Sequence, residues 1–304
     1  MLDSPHRPTS NLLIHLPSCL SRRSATIVQL AFLLVASAET AHSADVDRTS
    51  PTSSPPFTHA LLDNALRTWV DSCSRVDYAG LAASRHHLDS YLDSVSAVSP
   101  RNEPSRFPSL DHELAYWINA YNAFVLVGIV DAYPVKSVAD IGGLEAFFQK
   151  RTVVAGGESL TLDQIENTII RSQFKDPRIH FAANCAAVSC PELEARAFEG
   201  LDIAGRLDSA LRRFVTDQSH VRIDRNRRRI HLSRIMDWYG GDFTQRIPEQ
   251  KADRSQNTQL VPKPTVIDYL ILHMADEDAT YLRQHPDIEI EFNDYDWSLN
   301  VQSH

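Results

Sequence analysis

Three side chains capable of demanding chemistry fall within residues 178–191, Arg-Ile-His-Phe-Ala-Ala-Asn-Cys-Ala-Ala-Val-Ser-Cys-Pro: His180, Cys185 and Cys190. A thiolate beside an imidazole is the minimum equipment for nucleophilic catalysis, with the imidazole taking the proton and returning it. Ile179 to Ala183 is short, apolar and preceded by a proline, so it reads as a buried strand. Asn184 can cap a helix, and the small residues after it tolerate close packing. Cys185 then falls in a first helical turn, where unpaired N–H groups and the helix dipole favour thiolate over thiol. Other readings of the same residues stay open. A free cysteine often packs as a small hydrophobe, and Cys185 and Cys190 can form a disulfide. His-x4-Cys-x4-Cys is not the usual tight zinc spacing and has no obvious fourth ligand, so no metal or other cofactor is expected.

The elements that must position these groups come from the rest of the chain. It has 304 residues, 43% of them hydrophobic, enough for one sizeable core or one domain with long appendages. A formal net charge of −9 argues against non-specific nucleic-acid binding and against anionic membrane surfaces. Arg22 and Arg23 precede an apolar run from Ala25 to Ala38 that is short for a bilayer span. Ala36-Ser37-Ala38 offers a small-x-small cleavage site, with Ala44 as a second. Residues 1–44 therefore read as a signal peptide, or as an anchor if left uncleaved, and the mature protein is expected to be periplasmic or secreted. Contact with a membrane is expected only through that uncleaved segment. Cys19 leaves with the signal, so Cys73, Cys185 and Cys190 remain, an odd number that leaves at least one thiol without an intramolecular partner.

Residues 45–56, rich in Ser, Thr and Pro, read as a disordered linker, and 57–304 as one domain. Apolar residues recur at helical spacing from Phe57 to Val70 and again from Leu81 to Val98. Leu110 to Tyr133 is the strongest helical stretch, with Asp111 as its cap, Tyr133-Pro134 as its end and apolar positions nearly all round, which places it centrally. Asn119 and Asn122 interrupt that apolar surface. A buried amide without partners costs about 1–3 kcal/mol, so these two either satisfy neighbouring loops or serve a ligand. Arg151 to Leu160 reads as a hairpin turning at Gly156-Gly157, with a helix following from Thr161. Ala204 to Phe214 reads as a helix, 221–232 as a second hairpin, Met236 to Phe243 as an aromatic element ending in a turn, 244–262 as a loop, Pro264 to His273 as a helix and Glu289 to Phe292 as a last strand. The fold class is α+β: a single, mainly helical domain with a small antiparallel sheet or hairpins.

Five segments in order resemble one family: Leu-Ala-Tyr-Trp-Ile-Asn-Ala-Tyr-Asn-Ala (114–123), Tyr-Pro-Val-Lys-Ser-Val (133–138), Leu-Asp-Gln-Ile-Glu (162–166), residues 176–191, and Asp-Tyr-Asp-Trp-Ser-Leu-Asn (294–300). Their order and spacing are similar to the family named domain of unknown function 547. The resemblance implies an α+β domain related to papain-like or transglutaminase-like thiol enzymes, in a permuted form. It further implies a triad of Cys185 as nucleophile, His180 as general base and Glu166 as orienter. The family often has a histidine after the glutamate of this motif, where this chain has Asn167.

An extended chain advances about 3.3 Å per residue, so His180 and Cys185 meet only if the backbone doubles back near Asn184. Cys185 is preferred over Cys190 as nucleophile because Cys190 precedes Pro191, where helices tend to end. The expected function is an exported cysteine-dependent hydrolase or acyl transferase attacking an amide or ester carbonyl of a small-molecule or peptide substrate. The alternative is a non-catalytic binding module for a peptide or small molecule, with Asn119, Asn122, Trp117 and His180 lining the pocket and Cys185 and Cys190 joined.

Overall fold

The computed structural model describes residues 54–245 and 265–302. The expected targeting segment, all but the end of the linker, and nearly all of the polar 244–262 stretch lie outside the described residues.

Leu62, Ala65 and Leu66 recur on one face and are buried, which makes α1 (Ala60–Trp69) amphipathic. The amphipathic run expected from Leu81 to Val98 divides into α2 (Tyr78–Ala83) and α3 (His86–Ala97). The Asp77 carboxylate accepts from the Gly80 N–H and starts α2 early, and Ser84 leaves helical geometry at φ −143°. Gly80 packs against Trp69, where a Cβ would come 2.1 Å from the indole. Glycine is what lets α1 and α2 approach this closely.

α4 (Leu110–Ala132) is the centre of the domain, with every residue from Leu114 to Val130 buried. Its length and apolarity would suit a membrane span, but its surface is covered by the rest of the protein. Ser109 is the N-cap residue rather than Asp111, which sits with Glu113 in the first turn, where carboxylates favour the helix dipole. β1 (Thr152–Ala155) and β2 (Glu158–Thr161) form the expected antiparallel hairpin. Gly156 and Gly157 turn it at φ +59° and +79°, a conformation glycine adopts without strain. A π-helical segment, Gln164–Phe174, then packs on α4.

α5 (Ile203–Thr216) precedes the second hairpin, β3 (Val221–Asp224) with β4 (Arg229–Leu232). β5 (Glu289–Phe292) is the expected last strand, but it joins β4 in parallel. Between β4 and β5 lie α6 (Arg234–Trp238), α7 (Gly240–Thr244), α8 (Val266–Ile271) and α9 (Asp276–Gln284). The architecture is α+β, with two small sheets on a mainly helical body. Its apolar side chains form two clusters, one around α4 with α1, α2 and α3, the other among α5, the second sheet and the short C-terminal helices. Ile179 belongs to the first and Phe181 to the second, so the chemically interesting segment runs along their junction.

His59, at the start of α1, is buried and its Nδ1 lies 2.9 Å from the Tyr91 hydroxyl. Burial, with the nearby His112 second, lowers its pKa from 6.5 to about 4. The unfolded chain therefore binds the proton more readily than the folded one. Stability is full above about pH 6.5 and falls by about 3 kcal/mol toward pH 4 through this residue alone. Urea midpoints followed over that range should fall more steeply for the native chain than for His59→Asn. Parallel profiles would contradict this assignment.

Candidate functional site

The strand expected at Ile179 to Ala183 is a short 3-10 helix, Pro177–Phe181. Pro177 sits in its first turn and the Asp176 carboxylate accepts from the Arg178 N–H, a pairing that starts a helical turn. No helix follows Asn184 either. Its side-chain oxygen accepts from the Ala186 N–H and its amide donates to the Pro191 carbonyl. Ala186 adopts φ +63°, which stops a right-handed helix. Cys185 therefore lies in a loop, and the helix dipole and helix-start N–H groups expected to favour a thiolate are absent. The Cys185 N–H instead donates to the Cys190 sulfur at 3.0 Å.

That loop is held firmly from both sides. The Asn122 side chain donates to the Ala182 carbonyl and accepts from the Asn184 N–H. Asn119 clamps the backbone of Phe198 in the same two-bonded way. Both amides thus satisfy neighbouring loops from inside α4, and Trp117 is sealed in the core at 1% exposure. The ligand-lining role considered for Asn119, Asn122 and Trp117 does not match these positions. On its other side the loop pairs with the C-terminal strap, Ala187 opposite Leu299 and the Val188 N–H on the Ser298 carbonyl.

Cys185 and Cys190 are joined in a disulfide. Among the described residues no cysteine is free, so the spare thiol expected from the odd count is not found there. Cys185 is half-buried and Cys190 buried. The Tyr295 hydroxyl bridges the pair, 3.1 Å from the Cys185 sulfur and 3.2 Å from that of Cys190.

His180 is almost fully enclosed, its ring stacked on Tyr239 with centroids 4.0 Å apart. Its carboxylate partner is Asp242 on α7, with Nε2 2.7 Å from Oδ2. Arg171 supports the same carboxylate through Nε at 2.7 Å and Nη2 at 3.0 Å. The hydrogen bond from His180, and then that from Arg171, hold the Asp242 carboxyl well below the usual carboxylate range in spite of its burial. Asn167, the position noted for lacking histidine, accepts from Arg171 Nη1 and donates to Asp163. It steadies the guanidinium that steadies Asp242.

Glu166 is not the orienter of His180. It accepts from the Tyr121 hydroxyl at 2.9 Å and from the Tyr239 hydroxyl at 2.6 Å. Burial first, and the negative charge of Glu166 second, raise both phenols far above their ordinary range, so they remain donors. Sequence reasoning missed Asp242 and Tyr295. Asp242 is 62 residues from His180 and follows an aromatic stretch whose only local signal is a turn. Tyr295 lies in a segment that carried the family resemblance, and that was its only signal.

These groups surround one open cavity of about 150 Å³. His180, Cys185, Cys190, Glu166 and Tyr295 all line it, together with Trp238 and Trp297. A sulfur, an imidazole fixed by a carboxylate, and a second carboxylate therefore share a single cleft. No curated protein and no solved structure matches the chain. Residues 106–215, a stretch that holds all of α4 and nearly all of α5, match the family described as protein of unknown function, DUF547.

Proposed function

We propose, on the premise that residues 106–215 match the family described as DUF547, that the chain is an exported cysteine-dependent hydrolase or acyl transferase acting on an amide or ester. The observation that carries this reading is the cleft shared by the half-buried Cys185 and by His180, whose Nε2 is committed to Asp242. With Nε2 so engaged, Nδ1 is the nitrogen left to move a proton, and the His–Asp pair has the chemistry of a triad base and its orienter. Cys185 is the nucleophile, His180 the base, and Asp242 takes the place first given to Glu166.

The disulfide fits an oxidising compartment and with it the export signal read in residues 1–44. It also means that the nucleophile forms only on reduction. Two equivalents of an external thiol convert the Cys185–Cys190 bond to two thiols and become a disulfide themselves. The Cys185 sulfur, its proton passed to His180, then adds to the carbonyl carbon. The amine or alcohol leaves with that proton and a thioester remains. Water, or a second nucleophile, releases the acyl group and restores the thiol.

Mass-spectrometric mapping after a short iodoacetamide pulse tests this. In reduced protein at neutral pH, Cys185 should be alkylated much faster than a free thiol, and His180→Ala should slow it. Equal, slow labelling of every cysteine would sink the proposal. The disulfide itself favours a second reading, a non-catalytic module that binds a peptide or small molecule with the bond permanently closed. Its mark would be an unreduced bond and unchanged ligand binding after exposure to thiols.

A further inference from the structure

The walls of the cleft carry information that the sulfur chemistry does not use. Trp238 and Trp297 stack with ring centroids 6.1 Å apart, and Tyr295 packs against both, 4.8 Å from Trp238 and 4.6 Å from Trp297, so that the three rings form a triangle. Trp238 is 49% exposed, although large aromatic side chains ordinarily bury most of their surface. Facing into the same cavity is Glu166, each of whose oxygens accepts one phenol. A carboxylate has about four lone-pair sites, so roughly half its accepting capacity remains for a ligand. Asp163 adds a second carboxylate to the lining, and among the described residues no lysine or arginine lines it. Arg171 packs over the Tyr239 ring and is paired with Asp242. Burial, and then the charge of Glu166, keep Tyr295 protonated and its ring neutral.

We propose that this cleft receives a cationic ammonium head group, seated against the Trp238, Tyr295 and Trp297 rings with its charge balanced by Glu166. Aromatic faces carry negative quadrupole density that attracts a desolvated cation, and a carboxylate at the back supplies the net charge. An anionic group would meet Glu166 and Asp163 instead. The volume of about 150 Å³ lies under the roughly 300–1,000 Å³ typical of pockets for drug-sized ligands. The cavity thus takes a head group or one side chain, with the remainder of the molecule outside. Two chemistries share this requirement, a quaternary ammonium and the primary ammonium of a lysine side chain. From the functional reading the proposal takes only that this cleft receives the substrate.

Tryptophan fluorescence and calorimetric titration of the full, oxidised chain test it, because turnover is silent in that state. The probes are choline, Nα-acetyl-lysine amide and the neutral carbon isostere of choline in which a tert-butyl group replaces trimethylammonium. At least one cation should bind about tenfold or more tighter than the neutral isostere, and the stronger of the two identifies the source. Glu166→Gln should weaken the cation by a similar factor and leave the isostere unchanged. Equal binding of charged and neutral probes to the native chain, or no binding of either cation at millimolar concentration, would overturn the proposal. Neither result touches Cys185 alkylation, so failure of this inference is distinct from failure of the functional reading.

Discussion

Cys190→Ser will make the cleft active without reductant, whereas the native chain will require it. The native sulfurs are joined, so no thiolate exists at Cys185 until the bond is opened. Serine cannot form that bond, yet its oxygen can accept the two contacts the Cys190 sulfur now receives, from the Cys185 N–H and the Tyr295 hydroxyl. The loop is also fixed independently by Asn122, Asn184 and the C-terminal strap, so its path survives loss of the cross-link. Removing a nucleophile costs on the order of 10³-fold or more in turnover. That is the expected gap between native chain and variant without thiol, closing when a dithiol is added. Cys185→Ser should be inactive in both conditions. A Cys190→Ser protein whose Cys185 sulfur is no more reactive than a free thiol would leave only the binding module.

The fold was legible wherever one physical signal dominated. α4 could be read because its 23 residues present an apolar surface nearly all round, a pattern that needs enclosure on every side. The β1–β2 hairpin could be read because Gly156 and Gly157 are where the chain needs left-handed backbone. The run from Ile179 to Ala183 misled because a short apolar segment preceded by proline does not distinguish a strand from one helical turn. Burial between two clusters decided it, and burial is a property of the whole fold. α9 was not anticipated, since only Ala279 and Leu282 of its nine residues are buried and the rest give no apolar period. The site divides in the same way. Cys185 and His180 announce themselves by type and proximity. Their carboxylate does not, because a partner 62 residues away is delivered by the packing of α7 rather than by spacing. Glu166 was the nearer acid along the chain, and it is turned toward Tyr121 and Tyr239 instead.

Those two acids should separate in kinetics. Asp242→Asn keeps the shape of the side chain but removes the charge that holds His180 through Nε2 and that Arg171 supports. The imidazole then loses its fixed tautomer, and an imidazolium formed beside the thiolate loses its counter-charge. Loss of a comparable orienting carboxylate lowers kcat by roughly 10²–10⁴-fold. Because Asp242 acts through His180, the effect belongs in kcat rather than KM. Cys185 alkylation in the variant should also need higher pH, since the thiolate is no longer paired with a stabilised imidazolium. In the native chain the depressed pKa of Asp242 keeps it ionised across the working range. Its contribution to stability is present above the ordinary carboxylate range and is lost only as pH falls below it. Glu166→Gln, in contrast, should leave the alkylation profile in place and raise KM for a cationic substrate. If Glu166→Gln instead moves the alkylation profile and Asp242→Asn does not, Asp242 is not the orienter and the carboxylate of Glu166 governs the imidazole after all.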